Sequence, residues 1–301
     1  MDLSRRELLR ALTLGSVAMT SGAPTQTTRI PKRRLGAIPF DATILGLGTA
    51  EIPDDEEALK ALRLALDAGV NYLDTAPSYR AARSESVVGQ IAKTHRDRFF
   101  LATKTLERSA DGAYREVRES LQRLQTDRID LIQVHAVNDF ATLEQVLTGA
   151  VQGLERAKRE GIVRHIGITG HTRPEVILRA IESYPFESIL VPVSAADHWV
   201  NDFVSGVIPR ARQRGIAVIG MKALKGVERS KGQVRDAERW LRYAWSCPVD
   251  CLIVGFRRYA DVLENVRLAQ QFQPMSTDEM KLLEQEAQKF ANTQVLWWKQ
   301  E

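Results

Sequence analysis

Eight short apolar runs, each followed by a longer segment with apolar residues at helical spacing, constrain this chain more than any other feature. The runs occupy residues 43–45, 70–73, 99–102, 129–134, 163–168, 188–191, 216–219 and 251–254. Between them, sets such as Ala58, Leu62, Ala65 and Leu66, or Val117, Leu121 and Leu124, recur at i, i+3, i+4 and i+7 and line one helix face. Glycine follows several of these helices, at Gly69, Gly161 and Gly215, where a left-handed cap is wanted. Continuous apolar strands alternating with helices imply a parallel sheet covered by helices. Eight such units in about 230 residues predict a single α/β domain, a closed (β/α)8 TIM barrel, over an open doubly wound sheet. The run Gly46-Leu47-Gly48-Thr49 lacks the third glycine of a dinucleotide-binding turn, which disfavours a Rossmann domain. Residues 33–40, turning at Gly36, predict a small N-terminal β-hairpin that plugs the barrel floor. Ser276-Thr277-Asp278-Glu279 opens a short capped C-terminal helix.

The 301 residues suffice for one such barrel, and 44% hydrophobic with 27% charged residues excludes disordered and multi-span membrane chains. An excess of 42 Lys+Arg over 38 Asp+Glu is too small for a nucleic-acid footprint. Two cysteines, Cys247 and Cys251, exclude a disulfide scaffold, and no His/Asp/Glu spacing resembles a metal site. Cys251 opens an apolar run and reads as a buried thiol.

Residues 1–28 read as an export signal and linker, with the barrel at 29–301. Arg5-Arg6 precedes the apolar stretch 11–18 and then small residues. That is secretory-signal anatomy, too short for a stable membrane span. The paired arginines resemble a twin-arginine signal, which implies the twin-arginine export machinery as partner and a periplasmic destination after folding in the cytoplasm. The alternative for the same residues is an amphipathic helix frayed from the domain.

In a barrel of this kind chemistry belongs at the carboxyl ends of the strands. The second strand ends in Asp74, just past its apolar run, with Tyr79 on the loop it feeds; the third strand ends in Lys104 and the fourth in His135. Each alone has an ordinary explanation as a cap, a loop anchor or a buried imidazole. Together they have a chemical use. A free phenol titrates near 10, a neighbouring ammonium lowers that value, and a carboxylate holds the ammonium in place. A histidine on the same rim orients a substrate oxygen. The set suits protonation of a developing alkoxide.

These residues resemble the aldo-keto reductase family over about 33–280. The matching stretches are Leu45-Gly46-Leu47-Gly48-Thr49, VNYLDTAPSY at 70–79, Ser84-Glu85, Ala102-Thr103-Lys104-Thr105, LQRLQTDRIDLIQVH at 121–135, RHIGIT at 164–169 and Glu264-Asn265. The resemblance implies an NADPH-dependent oxidoreductase, with NADH as the alternative, that interconverts a small aldehyde, ketone or sugar-like carbonyl and its alcohol. It implies Tyr79 as general acid, Lys104 lowering its pKa, Asp74 pairing with Lys104, and His135 positioning the carbonyl oxygen. For the cofactor it implies Gly48, Thr49, Thr169, Glu264 and Asn265; the loops after the seventh and eighth strands, where barrels often bind phosphate, add Lys222, Leu224, Gly255, Arg257 and Arg258.

The chain departs from the family pattern at several points. Thr169-Gly170 stands where many members have Ser-Asn, with His171 as a substitute for the amide. Leu190 replaces a glutamine, Met221 replaces the aromatic that stacks on nicotinamide, and Asp261 replaces an arginine common in NADP-preferring members. Arg257-Arg258 either hold the adenosine phosphate instead or are solvated rim charge. The altered contacts keep open a non-catalytic nucleotide-sensing or binding protein. Trp199 lines a substrate pocket or packs at an edge, and Trp297-Trp298 reach the rim or bury against outer helices.

Overall fold

The computed structural model describes residues 29–225 and 236–299. Residues 1–28, read above as an export signal and linker, lie outside the described residues, Arg5 and Arg6 among them. No helix among those described is long and apolar enough to cross a membrane.

Eight parallel strands close into a barrel: β3 (Leu45–Gly48), β4 (Tyr72–Asp74), β5 (Phe100–Thr105), β6 (Ile129–Val134), β7 (Val163–Thr169), β8 (Ser188–Pro192), β9 (Ala217–Met221) and β10 (Cys251–Gly255), with β10 pairing β3 to complete the ring. Each predicted run falls on or beside one strand. The first is displaced, because residues 43–45 straddle a break. Asp41–Thr43 forms β2, antiparallel to β1 (Lys32–Arg34), and the barrel strand begins only at Leu45. The break is set by hydrogen bonds: the Ile44 amide donates to the Pro31 carbonyl, and the Thr43 hydroxyl donates to the Leu45 carbonyl at 2.7 Å.

Strand side chains sort by parity. Leu45, Leu47, Leu73, Leu101, Ile132 and Val134 pack outward under the helices. Tyr72, Phe100, Ala102, Leu131, Leu190, Ala217, Ile219 and Cys251 fill the interior, where Leu35 and Ile38 of the hairpin join them. The hairpin therefore plugs the floor as expected. Gly36 is required there: its φ is +49°, and a Cβ would come within 2.4 Å of the Gly215 carbonyl. The caps at Gly69, Gly161 and Gly215 all have positive φ. Both cysteines are buried and unbridged.

The outer helices carry the local signals that start them. Asp54, Ser109, Asp139 and Ser276 accept from backbone amides at N-termini, and Ser276 with Glu279 forms a full capping box. Within the helical segment after β6, residues Val146–Ala150 adopt one π turn, and Gly149 and Gly153 lie on the Arg108–Ala110 backbone.

Candidate active site

On β4, Tyr72 faces inward, so Asp74 two residues later does as well. The same parity turns Lys104 inward beyond Phe100 and Ala102, and Gln133 and His135 inward beyond Leu131. Closure of the barrel then brings the three strand ends together. Lys104 Nζ donates to Asp74 Oδ1 at 2.5 Å and to the Thr75 carbonyl at 2.8 Å, with both charged side chains almost wholly buried. Gln133 Nε2 donates to the other oxygen of Asp74 at 3.1 Å. Lys104 Nζ lies 4.7 Å from the Tyr79 ring centroid, and the Tyr79 and His135 rings meet edge to face at 5.9 Å.

Burial pushes the Asp74 carboxyl up, against the Lys104 ammonium and the Gln133 amide. For Lys104, burial works against the charge, but Asp74 and then Tyr79 reverse that and hold it above its ordinary value. The Tyr79 phenol is a correction to the sequence expectation. Burial raises it above 10, and Lys104 opposes the rise without overturning it. The sign of the Lys104 effect is as expected; the removal of water from the phenol outweighs it. Burial, followed by the charges of Lys104, Lys222 and Arg108, lowers His135 to about 3, so its imidazole is neutral at neutral pH. Its Nδ1 is buried without a hydrogen bond. The His171 ring lies 6.1 Å from the His135 ring and is also driven well down, chiefly by burial.

The residues assigned to cofactor divide by environment. Gly48 and Gly255 are direct partners at the carboxyl ends of β3 and β10; the Ile253 side chain lies against Gly48, where a Cβ would come within 2.7 Å of it, and only the Gly255 side is open. A Cβ at Gly255 would meet nothing closer than 3.9 Å. Thr49 is fully buried, its hydroxyl on the Asp74 carbonyl (2.9 Å) and beside Ser84 Oγ (2.6 Å). The Thr169 hydroxyl accepts the Ala136 amide at 3.1 Å. Lys222 is in the left-handed region (φ +63°), its ammonium is lowered to about 8 by burial and then by Lys225, and it lies over the Trp298 indole at 5.4 Å. Leu224 packs against the core. Arg257 pairs with Glu51, which also takes Lys225 at 2.6 Å. Arg258 pairs at 2.8 Å with Asp261, which also accepts both arginine backbone amides. Glu264 is exposed and paired to Arg267, whereas Asn265 is buried.

Tertiary contacts resolve the tryptophans. Trp199 donates to the Glu284 carbonyl at 2.6 Å and so ties its loop to the helix Thr277–Gln288. Trp298 is buried beside Lys222 at the rim, and Lys299 forms a wholly buried pair with Asp197 at 3.1 Å. The C-terminal segment thus reaches the rim. Trp297's side chain lies outside the described residues. Gly170 is bound to its place, since a Cβ would come within 2.6 Å of Ile177 and 2.9 Å of the Val137 carbonyl. Among the described residues no metal-binding cluster occurs.

Sequence reasoning passed over Gln133, although its place two residues before His135 on a strand puts both on one face. Arg108, whose guanidinium donates to the His135 carbonyl at 2.7 Å, carried no sequence signal.

Comparison with known proteins bears on the family and the fold. The aldo/keto reductase family model matches residues 44–239, more than half the chain. The chain belongs to the aldo/keto reductase family. It is 33% identical over 201 residues to an uncharacterized oxidoreductase of Bacillus subtilis (strain 168), covering 62% of this chain and 63% of the relative. It is 29% identical over 214 residues to L-galactose dehydrogenase of Arabidopsis thaliana, covering 65% and 66%. These matches span slightly less than two thirds of the curated relatives. A solved putative aldo-keto reductase from Pseudomonas aeruginosa superposes with TM-score 0.70 at 31% identity, covering 81% of this chain and 97% of that one. The holo form of an aldo-keto reductase from Bacillus halodurans shares the fold, with TM-score 0.72 at 24% identity over 88% and 97%.

Proposed function

We propose that this protein is an NAD(P)-dependent oxidoreductase that interconverts a small carbonyl compound and its alcohol, with Tyr79 as the proton donor in the reducing direction. The observation that carries this reading is the Asp74–Lys104 pair beneath Tyr79, with neutral His135 at its edge. A reduced nicotinamide cofactor, when bound, supplies the hydride. Tyr79 keeps its proton through neutral pH, because burial holds the phenol high. It gives that proton to the substrate oxygen as negative charge develops there, and Lys104 stabilises the phenolate left behind. Asp74, held in turn by Gln133, keeps Lys104 in place. Neutral His135 offers an imidazole N–H to the same oxygen and sets its direction.

The open backbone at Gly255 leaves room for a dinucleotide at the carboxyl rim, and a Klebsiella pneumoniae aldo-keto reductase of the same fold (TM-score 0.70, 22% identity) is solved in complex with NADPH. NADPH is the cofactor of first choice. Arg257 and Arg258 reach its phosphate only by giving up part of their pairing to Glu51 and Asp261. The leader supports a further element of the reading: folded export through the twin-arginine route to the periplasm. Fractionation of expressing cells, with full-length protein confined to the cytosol, would sink that element.

The test of activity is a tryptophan-fluorescence titration with NADPH and NADH, followed by turnover of a carbonyl panel by wild type and Tyr79→Phe. Tyr79→Phe is expected to lose about a hundredfold or more in kcat at unchanged cofactor affinity. Nucleotide binding without turnover in either direction would favour the second reading, a nucleotide-binding or sensing protein. Gly170 specifically supports that alternative, because the packing around it excludes the family's asparagine.

A further inference from the structure

Among the described residues the His135 imidazole has no hydrogen-bonding side-chain partner to set its direction. Its Nδ1 is buried without a hydrogen bond among the described residues, and its ring neighbours are Tyr79 edge to face and His171 at 6.1 Å. A ring nitrogen bonded to a carboxylate or carbonyl is the usual device for orienting a functional histidine. Here the backbone must do that work. The backbone at this point leaves the strand sharply, since Ala136 adopts φ +56°. That left-handed conformation is costly for a residue with a Cβ and persists only where its surroundings over-determine it.

Four hydrogen bonds do so. The His135 amide donates to the Thr105 carbonyl at 2.8 Å, the Ala136 amide to Thr169 Oγ1 at 3.1 Å, and the Val137 amide to the Thr169 carbonyl at 2.8 Å. The remaining bond comes from Arg108, whose Nη2 donates to the His135 carbonyl at 2.7 Å. It is the only one of the four with a charged donor, and charged donors make the stronger bonds. Among the described residues this carbonyl is the sole hydrogen-bond acceptor of Arg108; Nη1 is buried without one. The arginine is itself held from behind. A Cβ at Gly149 would lie 2.3 Å from the Arg108 carbonyl, and one at Gly153 would lie 2.0 Å from the Ala110 carbonyl, so two glycines let the helical segment after β6 sit directly on this loop.

We propose that Arg108 is a positioning residue for His135: by clamping the His135 carbonyl it holds the left-handed turn at Ala136 and so aims the imidazole at the substrate oxygen. The inference rests on the reading of His135 as the group that orients that oxygen. It assigns Arg108 no contact with substrate or cofactor.

The test compares wild type, Arg108→Met, Arg108→Lys and His135→Gln as full-length folded protein. Arg108→Met keeps an apolar stem and removes only the donors. It is expected to lower kcat/KM for carbonyl reduction about tenfold, mainly through KM, with NADPH affinity unchanged. Arg108→Lys, which can still donate one N–H to the same carbonyl, should recover most of that loss. Independently of turnover, the His135 imidazole NMR signals should shift or broaden in Arg108→Met and return toward wild type in Arg108→Lys. Should Arg108→Met fail to fold, Gly149→Ala carries the test, because it drives a Cβ against the Arg108 carbonyl and so displaces the clamp without changing any side chain of the site; it should lower kcat/KM and shift the His135 signals in the same way, and full activity with an unaltered His135 spectrum would overturn the role of Arg108. Full activity and an unaltered His135 spectrum in Arg108→Met, with His135→Gln inactive, would overturn the role of Arg108 alone. Full activity in His135→Gln would overturn the reading of His135 and the inference with it.

Discussion

Lys104 shows most directly how the site depends on single residues. Its ammonium and the Asp74 carboxylate are both almost completely buried, at 1% and 3% side-chain exposure, and each is tolerable only because the other is there. Lys104→Met leaves a buried carboxylate without its cation, and we expect a loss of about 3–5 kcal/mol in urea unfolding. The same variant removes the one charge that pulls the Tyr79 phenol downward, so residual reduction should be slower at every pH. Asp74, Lys104 and His135 were legible in the sequence because each ends an apolar run of known parity. Tyr79 was legible by its spacing from Asp74. The direction of its pKa was not, since burial is a property of the closed pocket rather than of any neighbour in the chain. Arg108 was illegible for a related reason: its partner is a main-chain carbonyl 27 residues away, and carbonyls leave no mark in a sequence.

The elements around the barrel follow local rules with one boundary shifted. Caps and C-terminal glycines lie where the composition placed them, because those signals act within one turn of helix. The first strand moved because its limits are set by pairing partners, and a run of apolar residues cannot show that Thr43 pairs back to Lys32. The C-terminal segment is the clearest case of an element placed by tertiary contact. The buried Lys299–Asp197 pair, reinforced by the Ser194 hydroxyl on Asp197 at 2.7 Å, draws Trp298 to the rim beside Lys222. Asp197→Ala strands a buried ammonium and should cost about 3–5 kcal/mol, whereas Asp197→Leu combined with Lys299→Met should cost much less. Equal losses in chemical denaturation would show that the segment is held by shape rather than by the ion pair.

For the molecule as a whole, the buried imidazoles set the response to acid. His135 is lowered to about 3 and His171 is driven well below 6.5, both chiefly by burial. Below pH about 6.5 the unfolded chain takes up these protons and the folded chain does not, so stability falls by about 1.4 kcal/mol per pH unit for each such histidine. The loss continues until the folded-state value is reached, near 3 for His135. Glu187, lowered to about 2 against burial by His165 and Lys158, adds a loss of the same sign below its ordinary 4.5. Thermal midpoints measured from pH 7 to pH 4 should therefore decline steadily, and His135→Gln should flatten the slope; a flat wild-type profile would show the imidazoles to be solvated. By itself the sequence determined the eight-fold alternation, the floor hairpin and the polar residues at three strand ends, because periodicity and turn chemistry act over a few residues. Only the tertiary structure decided which of those polar groups meet, which are already paired, and how their proton affinities move. Barrel closure packs residues distant in sequence against one another, and it is the burial this creates that sets the strength of every charge in the site.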